Sequence, residues 1–422
     1  MARWAMDLRP LRRPRFRVLW AGSLFSVFAS QVTIVLVAKH VYDLTGSSLA
    51  VGLVAAVELV PLMVLAMVGG AIADAFDRRR VVLLAEAGQV VCALALGLDA
   101  SRPDPHLWLT YLLAAVIAGL SSISTPARWA ITPRLVPVEE FTAASALESL
   151  SANAGAIAGP ALAGIGIAVS GVAPMFFVVV ALYVGSLVSM AVLGPVPPTD
   201  TATAVSLQSI IDGFRFLKGR QTLQGTYLLD FNAMIFGMPM ALFPALAAER
   251  FGDSDVALGL LYAAPSVGAL LGTVTSGWTA RVHRHGLAIV VAVVAWGAAI
   301  TLFAVPAPLW LALVLVGLAG WADLVSVVFR KVIWSTVIPD EMRGRLGGIA
   351  WANVRGGLLL GNVEAGAVAA LTTTTISVLT GGLACIVGAG VLAVLLPGFR
   401  RYDSRDPHRT DVGREAAVEI AR

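Results

Sequence analysis

Apolar residues run along most of this chain in long stretches, without the alternation of a half-buried strand or the single apolar face of a surface helix. Polar, proline or glycine-marked breaks divide the first half into runs at approximately 18–42, 49–73, 81–98, 107–126, 142–169 and 172–193. A polar segment over 195–221 follows, and further runs come at 222–247, 256–279, 287–305, 309–328, 346–371 and 376–396. A helix of about 20 residues crosses a bilayer core. Each run therefore reads as a span, and the pattern predicts twelve transmembrane helices. Lipid offers no water to an open backbone, so an all-α integral membrane protein is the predicted fold class.

Composition agrees with that reading. The 422 residues are 58% hydrophobic and 13% charged, with a mean hydropathy of +0.84. A soluble domain carries about 25% charged residues, so a soluble enzyme, a disordered chain and a disulfide scaffold are all excluded. Cys92 and Cys385 lie in apolar stretches and offer neither a disulfide framework nor a zinc cluster. Forty-one glycines suit helix interfaces that bring backbones close. The net charge of +4 is modest and reads as topology, with no nucleic-acid partner expected. Arginine far outnumbers lysine, an imbalance common in high-GC bacterial genomes, so a bacterial plasma (inner) membrane is the expected location.

The basic residues also choose an orientation. Arg3, Arg9, Arg12, Arg13, Arg15 and Arg17 precede the first run, which is too long for a signal segment and reads as an uncleaved span. With the N-terminus cytoplasmic, only Lys39, Arg102 and Arg250 fall in outer loops, and Arg355 falls within a span. All other basic residues then face the cytoplasm, so both termini are expected there. The central loop is placed inside as well; Ile210, Ile211, Phe214 and Leu217 recur in it at helical spacing beside Arg215, Lys218 and Arg220. That pattern predicts a short amphipathic helix at the interface.

The two halves repeat. One offset carries Pro137 onto Pro339, Arg128 onto Arg330, and Gly155, Gly159 and Gly164 onto Gly357, Gly361 and Gly366. A slightly longer one carries Gly52 onto Gly259 and Gly70 onto Gly277. Six spans repeated in parallel predict two six-helix bundles, with a pathway between them and rocking for alternating access. The expected organisation is a basic tail over 1–17, a bundle over 18–193, a cytoplasmic central loop over 194–221, a second bundle over 222–397 and a cytoplasmic tail over 398–422.

The loop between the second and third spans carries Gly70, Asp74, Asp77, Arg78 and Arg79. This resembles the major facilitator signature G-x-x-x-D-x-x-G-R-[RK], with Asp77 replacing the second glycine. Gly70 permits a close helix crossing, and Asp74 can meet a helix N-terminus or an arginine. The resemblance implies an inner-mouth charge cluster that breaks and re-forms, with the turn at Asp77 held by charge pairing. In the fifth span, Gly155, Gly159, Pro160 and Gly164 resemble a pattern of proton-coupled exporters in that superfamily, with Ala163 replacing one glycine. The same spacing also serves plain close packing.

Over nearly its whole length the chain resembles the enterobactin-exporter branch. Residues 69–84, the run Gly213-Phe-Arg-Phe-Leu217, Leu260 to Ala264 with Gly268, and Arg343-Gly-Arg345 with Asn353-Val354 carry the likeness. It implies export of a siderophore or drug-like molecule by proton antiport, powered by the proton gradient without a bound cofactor. Membrane lipids, protons and a small-molecule substrate are the partners then expected, for a monomer.

Charge inside hydrocarbon is costly, which singles out Glu58, Asp230, Asp323, Arg355 and Glu364 as candidates for proton coupling or the substrate pathway. A buried carboxylate suits reversible protonation, whereas arginine keeps its charge and would hold a carboxylate or attract an anion. Arg355 and Glu364 lie about 2.5 turns apart and so cannot pair on one straight helix. Structural ion pairing is an equal alternative for each of the five. Gln31, Gln89, Asn153, Asn232, Asn353 and Asn362 are expected to bond between helices.

Other function classes fare worse. Lys39, Lys218 and Lys331 are the only lysines, and none belongs to a G-x-x-x-x-G-K-[ST] loop, so an ATP-driven pump would need a separate ATPase subunit. All five histidines (His40, His106, His283, His285 and His408) are expected in loops or the tail, and no H-E-x-x-H occurs; this is no metal enzyme. A proton-coupled nutrient importer stays open, because direction is not written in a fold.

Overall fold

The computed structural model describes residues 7–75, 77–196 and 207–405, with side chains over 7–65, 77–196 and 211–405. Peptide groups that cannot bond to water must bond to each other, and the apolar runs do so as helices. Twelve helical stretches among the described residues are long and apolar enough to cross a membrane. The first half holds α1 (Pro14–Thr45), α2 (Ser48–Ala75), α3 (Arg78–Ala100), α4 (Leu107–Trp129), α5 (Val138–Ser170) and α6 (Val172–Val192). The second holds α7 (Leu207–Leu217), α8 (Gln221–Phe236), α9 (Phe243–Arg250), α10 (Asp255–Val274), α11 (His285–Phe303), α12 (Leu309–Val337), α13 (Asp340–Leu371), α14 (Thr374–Leu395) and α15 (Pro397–Arg400). No strand occurs among the described residues.

Several elements differ from the sequence reading. The seventh span is not one helix over 222–247; it is α8, a 3-10 turn at Met240–Leu242, and then α9. Gly237-Met238-Pro239 makes the break, because proline lacks an N–H and its ring crowds the preceding turn. The freed backbone is satisfied by neighbours: Trp296 Nε1 donates to the Gly237 carbonyl at 2.6 Å, and Ala241 N–H donates to Asn362 Oδ1 at 3.0 Å. At the other end of the chain, α1 continues to Thr45, so Lys39 and His40 are buried in a helix and not in a loop. Asp43 at 2.7 Å and Asp255 at 3.6 Å neutralise Lys39 there. The segment expected as a tail from residue 398 starts as packed structure. Phe399 and Tyr402 are fully buried, and Gln221 Oε1 accepts the Gly398 N–H at 2.8 Å.

Contacts divide the chain into two units. One comprises Met1–Gly46, Ala56–Val205 and Ser254–Ala263; the other comprises Ser47–Ala55, Ser206–Asp253 and Ala264–Arg422. Each unit includes the first turns of a helix whose remainder belongs to the other. Within the second unit the start of α2 lies on α13 so closely that a Cβ on Gly52 would be 2.6 Å from the Asn362 carbonyl oxygen. A Cβ on Gly366 would likewise be 2.7 Å from the Ser48 carbonyl oxygen. Within the first unit the start of α10 lies on α5, where a Cβ on Gly259 would be 2.9 Å from Gly164 Cα. The glycines that coincide in the repeat thus build one helix crossing twice.

Candidate functional site: two buried ion clusters

Arg128 lies in the last turn of α4, and its repeat mate Arg330 lies two turns before the end of α12. Their side chains are 8% and 4% exposed. A guanidinium does not lose its proton in a protein, so each needs an anion beside it.

In the first unit that anion is Glu86 of α3, which is fully buried and in direct contact with Arg128. Ser186 Oγ of α6 accepts from Arg128 Nη2 at 3.0 Å and lies 2.7 Å from Glu86 Oε1 and 2.9 Å from the Gly22 carbonyl of α1. Its single proton serves one of those acceptors at a time. One turn along α3, Gln89 Nε2 donates to Ser121 Oγ at 2.7 Å. Four helices are tied together here by these contacts, and Glu148 of α5, which accepts from Thr132, adds a second acid whose charge acts on Arg128.

In the second unit Arg330 contacts Asp230 of α8, and its Nη2 lies 3.5 Å from Asp323 Oδ1, two turns back on α12. Asn353 Nδ2 of α13 donates to Asp230 Oδ2 at 3.0 Å and to the Tyr227 carbonyl at 3.2 Å. Tyr227 in turn donates its hydroxyl to the Leu346 carbonyl at 3.0 Å and stacks on Trp334 with ring centroids 5.3 Å apart. Asp230 is buried with 3% of its side chain exposed, whereas Asp323 keeps 26%. Two acids therefore share one arginine.

The sequence candidates fare unequally. Asp230 and Asp323 come together on Arg330. Glu58 is half-buried in the first unit; Glu364 is half-buried in the second, and Arg355, expected to be buried, is exposed on α13. Gly70 and Asp74 lie within α2, but their side chains fall outside the described residues. Asp77 is not held by charge pairing as expected: it caps α3 and accepts the Arg79 N–H at 2.9 Å, satisfying an otherwise orphaned helix donor. Arg78 donates to the Ala130 carbonyl at 3.3 Å, and Arg79 donates to the Met190 and Ala191 carbonyls at 3.0 and 2.6 Å. Gly155 and Gly159 face Val27 and Gln31 of α1; Pro160 is buried, and Gly164 meets α10.

Glu86, Arg128 and Arg330 were not among the sequence candidates. Both arginines fall just past the ends drawn for their spans, at 126 and 328, and so read as loop charges. Their coincidence in the repeat was the signal that could have found them. Four of the five histidines are described, and His40 departs from expectation by lying buried against Phe176, with ring centroids 6.0 Å apart. No group of three or more His, Cys, Asp or Glu side chains poised for a metal occurs among the described residues.

Residues 5–420 match the sequence family described as transmembrane secretion effector. The chain is 30% identical over 409 residues to the enterobactin exporter EntS of Escherichia coli O1:K1 / APEC, covering 96% of this chain and 98% of that one. The enterobactin exporter of Citrobacter koseri is also 30% identical, over 406 residues, at 96% and 97% coverage. Among solved structures, the nucleoside transporter NupG superposes with a TM-score of 0.72 at 13% identity, over 92% of this chain and 98% of that one. The human organic anion transporter MFSD10 does so with a TM-score of 0.61 at 17% identity, over 91% and 99%. At these identities the two structures speak for the fold alone.

Proposed function

The chain belongs to the transmembrane secretion effector family of the major facilitator superfamily, whose members are transporters and not enzymes, and from that premise we propose that it is a proton-coupled exporter. Its cargo is a siderophore or another amphipathic small molecule, moved out of a bacterial cell across the plasma membrane by alternating access. The observation that carries this reading is the likeness to enterobactin exporters, which runs nearly end to end at 30% identity. The buried ion clusters support it. An exporter needs a charge whose state can change inside the protein, and carboxylates held on arginines within spans supply one.

Energy comes from the proton gradient. A proton entering from the outer side neutralises a buried carboxylate, loosens its hold on the arginine and shifts the balance between two conformations. Release of the proton to the cytoplasm resets that balance. Both termini and the central segment are cytoplasmic, and one chain suffices for transport. Arg78 and Arg79, which tie α3 to the ends of α4 and α6, belong to the inner-mouth motif with Asp74 and keep that end of the first unit rigid.

The test is transport by the purified chain in proteoliposomes, with enterobactin and the fluorescent cation ethidium as probes. An imposed pH gradient is expected to drive uphill movement of at least one probe in the export direction. Movement only in the opposite direction would make the chain an importer, and transport indifferent to pH would remove proton coupling.

A further inference from the structure

The two arginines occupy matching places in the repeat, yet the acids around them come from different positions. In the first unit Arg128 contacts Glu86 directly, and Glu148 of α5, which accepts from Thr132, acts on it electrostatically without an ion pair. In the second, Arg330 meets both Asp230 and Asp323, which leaves one negative charge in excess when both acids are ionised. The offset that carries Arg128 onto Arg330 carries Ser121 onto Asp323. Ser121 is neutral and is used, accepting from Gln89 at 2.7 Å. At that position the second half carries a carboxylate on its arginine where the first half carries a hydroxyl.

We propose that Asp323 takes up and releases the coupling proton, while Asp230 remains the fixed counter-ion of Arg330. The assignment rests on the proton-coupled reading above and names its residue. Asp230 is ill placed to exchange. It is almost wholly buried, contacts Arg330 directly and accepts from Asn353, so protonating it would break Arg330's closest ion pair in a dry interior and leave only the more distant Asp323. Asp323 stands at 3.5 Å from the guanidinium, has the only appreciable exposure of the three, and has no hydrogen-bond partner at Oδ1. The buried Arg330 Nε also lacks an acceptor, so the arginine has a donor to spare for a second carboxylate. When Asp323 is ionised, Arg330 is shared between two anions; when it is protonated, Arg330 is left to Asp230. That alternation is a switch between α8 and α12.

Few titratable or charged groups surround that spot. From α8 come Asp230 and Tyr227, whose hydroxyl is engaged with the Leu346 carbonyl. From α11 comes His285, whose ring lies on Phe329 and whose Nε2 bonds to the Val282 carbonyl. The 3-10 turn at Ser276–Arg281 brings Arg281, α13 brings the neutral Asn353, and α12 itself carries Arg330 and Lys331. Between Ala264 and its end at Val274, α10 has no titratable side chain.

Trp321 lies on the same helix, two residues from Asp323, and stacks on Trp278 with centroids 6.3 Å apart, so tryptophan fluorescence can report the proton without any substrate. The purified full chain in detergent is expected to show a fluorescence transition across the neutral pH range. Asp323→Asn and Asp323→Ser should lose it, and Asp323→Glu should keep it at a shifted midpoint. In proteoliposomes, Asp323→Asn and Asp323→Ser should move ethidium down its own gradient while losing all stimulation by an imposed pH gradient. The serine variant copies the group that the first half uses at the matching position and guards against a folding defect. Retention of the transition and of pH-driven transport in both variants would overturn the assignment and leave proton coupling standing. A wild type driven by sodium, or by neither ion, would overturn both.

Discussion

A single buried charge decides more than its neighbours do. The guanidinium of Arg128 is held among helices by Glu86 and Ser186, and its value lies in the pairing, because the pair itself gains little over a well-packed apolar substitute. Removing one partner of such a pair costs about 3–5 kcal/mol, since the other charge is stranded. Arg128→Ala is therefore expected to lower thermal stability sharply, whereas Arg128→Met combined with Glu86→Leu should recover most of the loss. Detergent-stability measurements on the single and double variants check this, and a double variant as unstable as the single would show that the charges are not what is stranded. Legibility at this scale followed charge placement. Asp230 and Asp323 stood out because apolar residues surround them in sequence, whereas Arg128 and Arg330 sit just beyond the point where hydropathy falls. Glu86 lay plainly inside its run, and only the residue facing it across α3 and α4 gives it meaning.

At the scale of the element, the helices follow from uninterrupted apolar runs, and the departures follow from identifiable residues. Pro239, preceded by Gly237, stops α8 in mid-span, and the sequence shows both. The groups that repair the break, Trp296 on α11 and Asn362 on α13, belong to helices far along the chain and could not be read locally. Breaks in spanning helices persist where their freed backbone groups find such partners. Asn362 Oδ1 acts on the Ala241 N–H much as an N-cap side chain does, and loss of a cap costs about 1 kcal/mol. Asn362→Ala is expected to destabilise the protein by that order and to speed amide exchange at Ala241–Leu246, while Asn362→Asp, which keeps the acceptor, should preserve protection. Equal protection in the alanine variant would mean that the turn is held by packing alone. Gly52 and Gly366 were legible as repeat matches; that they serve one crossing, with Gly164 and Gly259 serving its copy, required the fold.

For the whole molecule, the repeat sets what topology is available. Six candidate spans among the described residues precede α7 and six follow it, so if each crosses the membrane the chain returns to the side of its N-terminus before α8. The basic residues then choose which side is cytoplasmic, and the choice rests on placement and not on net charge. If every span crosses the membrane, alternation of the spans assigns Arg9, Arg12, Arg13, Arg215, Lys218, Arg220, Arg281, Arg284, Arg343 and Arg345 to the side of the N-terminus, whereas the loops of the other side carry few basic residues. Cys92 and Cys385 are both buried, so a background with alanine at each should fold and present no reactive thiol. In that background, single cysteines at Ser101, between α3 and α4, and at Thr372, between α13 and α14, are expected to react with a membrane-impermeant maleimide added to intact cells. Cysteines at Ala280, before α11, and at Gly344, in the first turns of α13, should react only after the membrane is opened. All four positions are exposed, so a failure to label could not be blamed on burial in the protein. The reverse pattern would place the basic face outside, and with it the inner-mouth motif; a mixed pattern would break the parallel repeat on which the comparison of Arg128 with Arg330 depends.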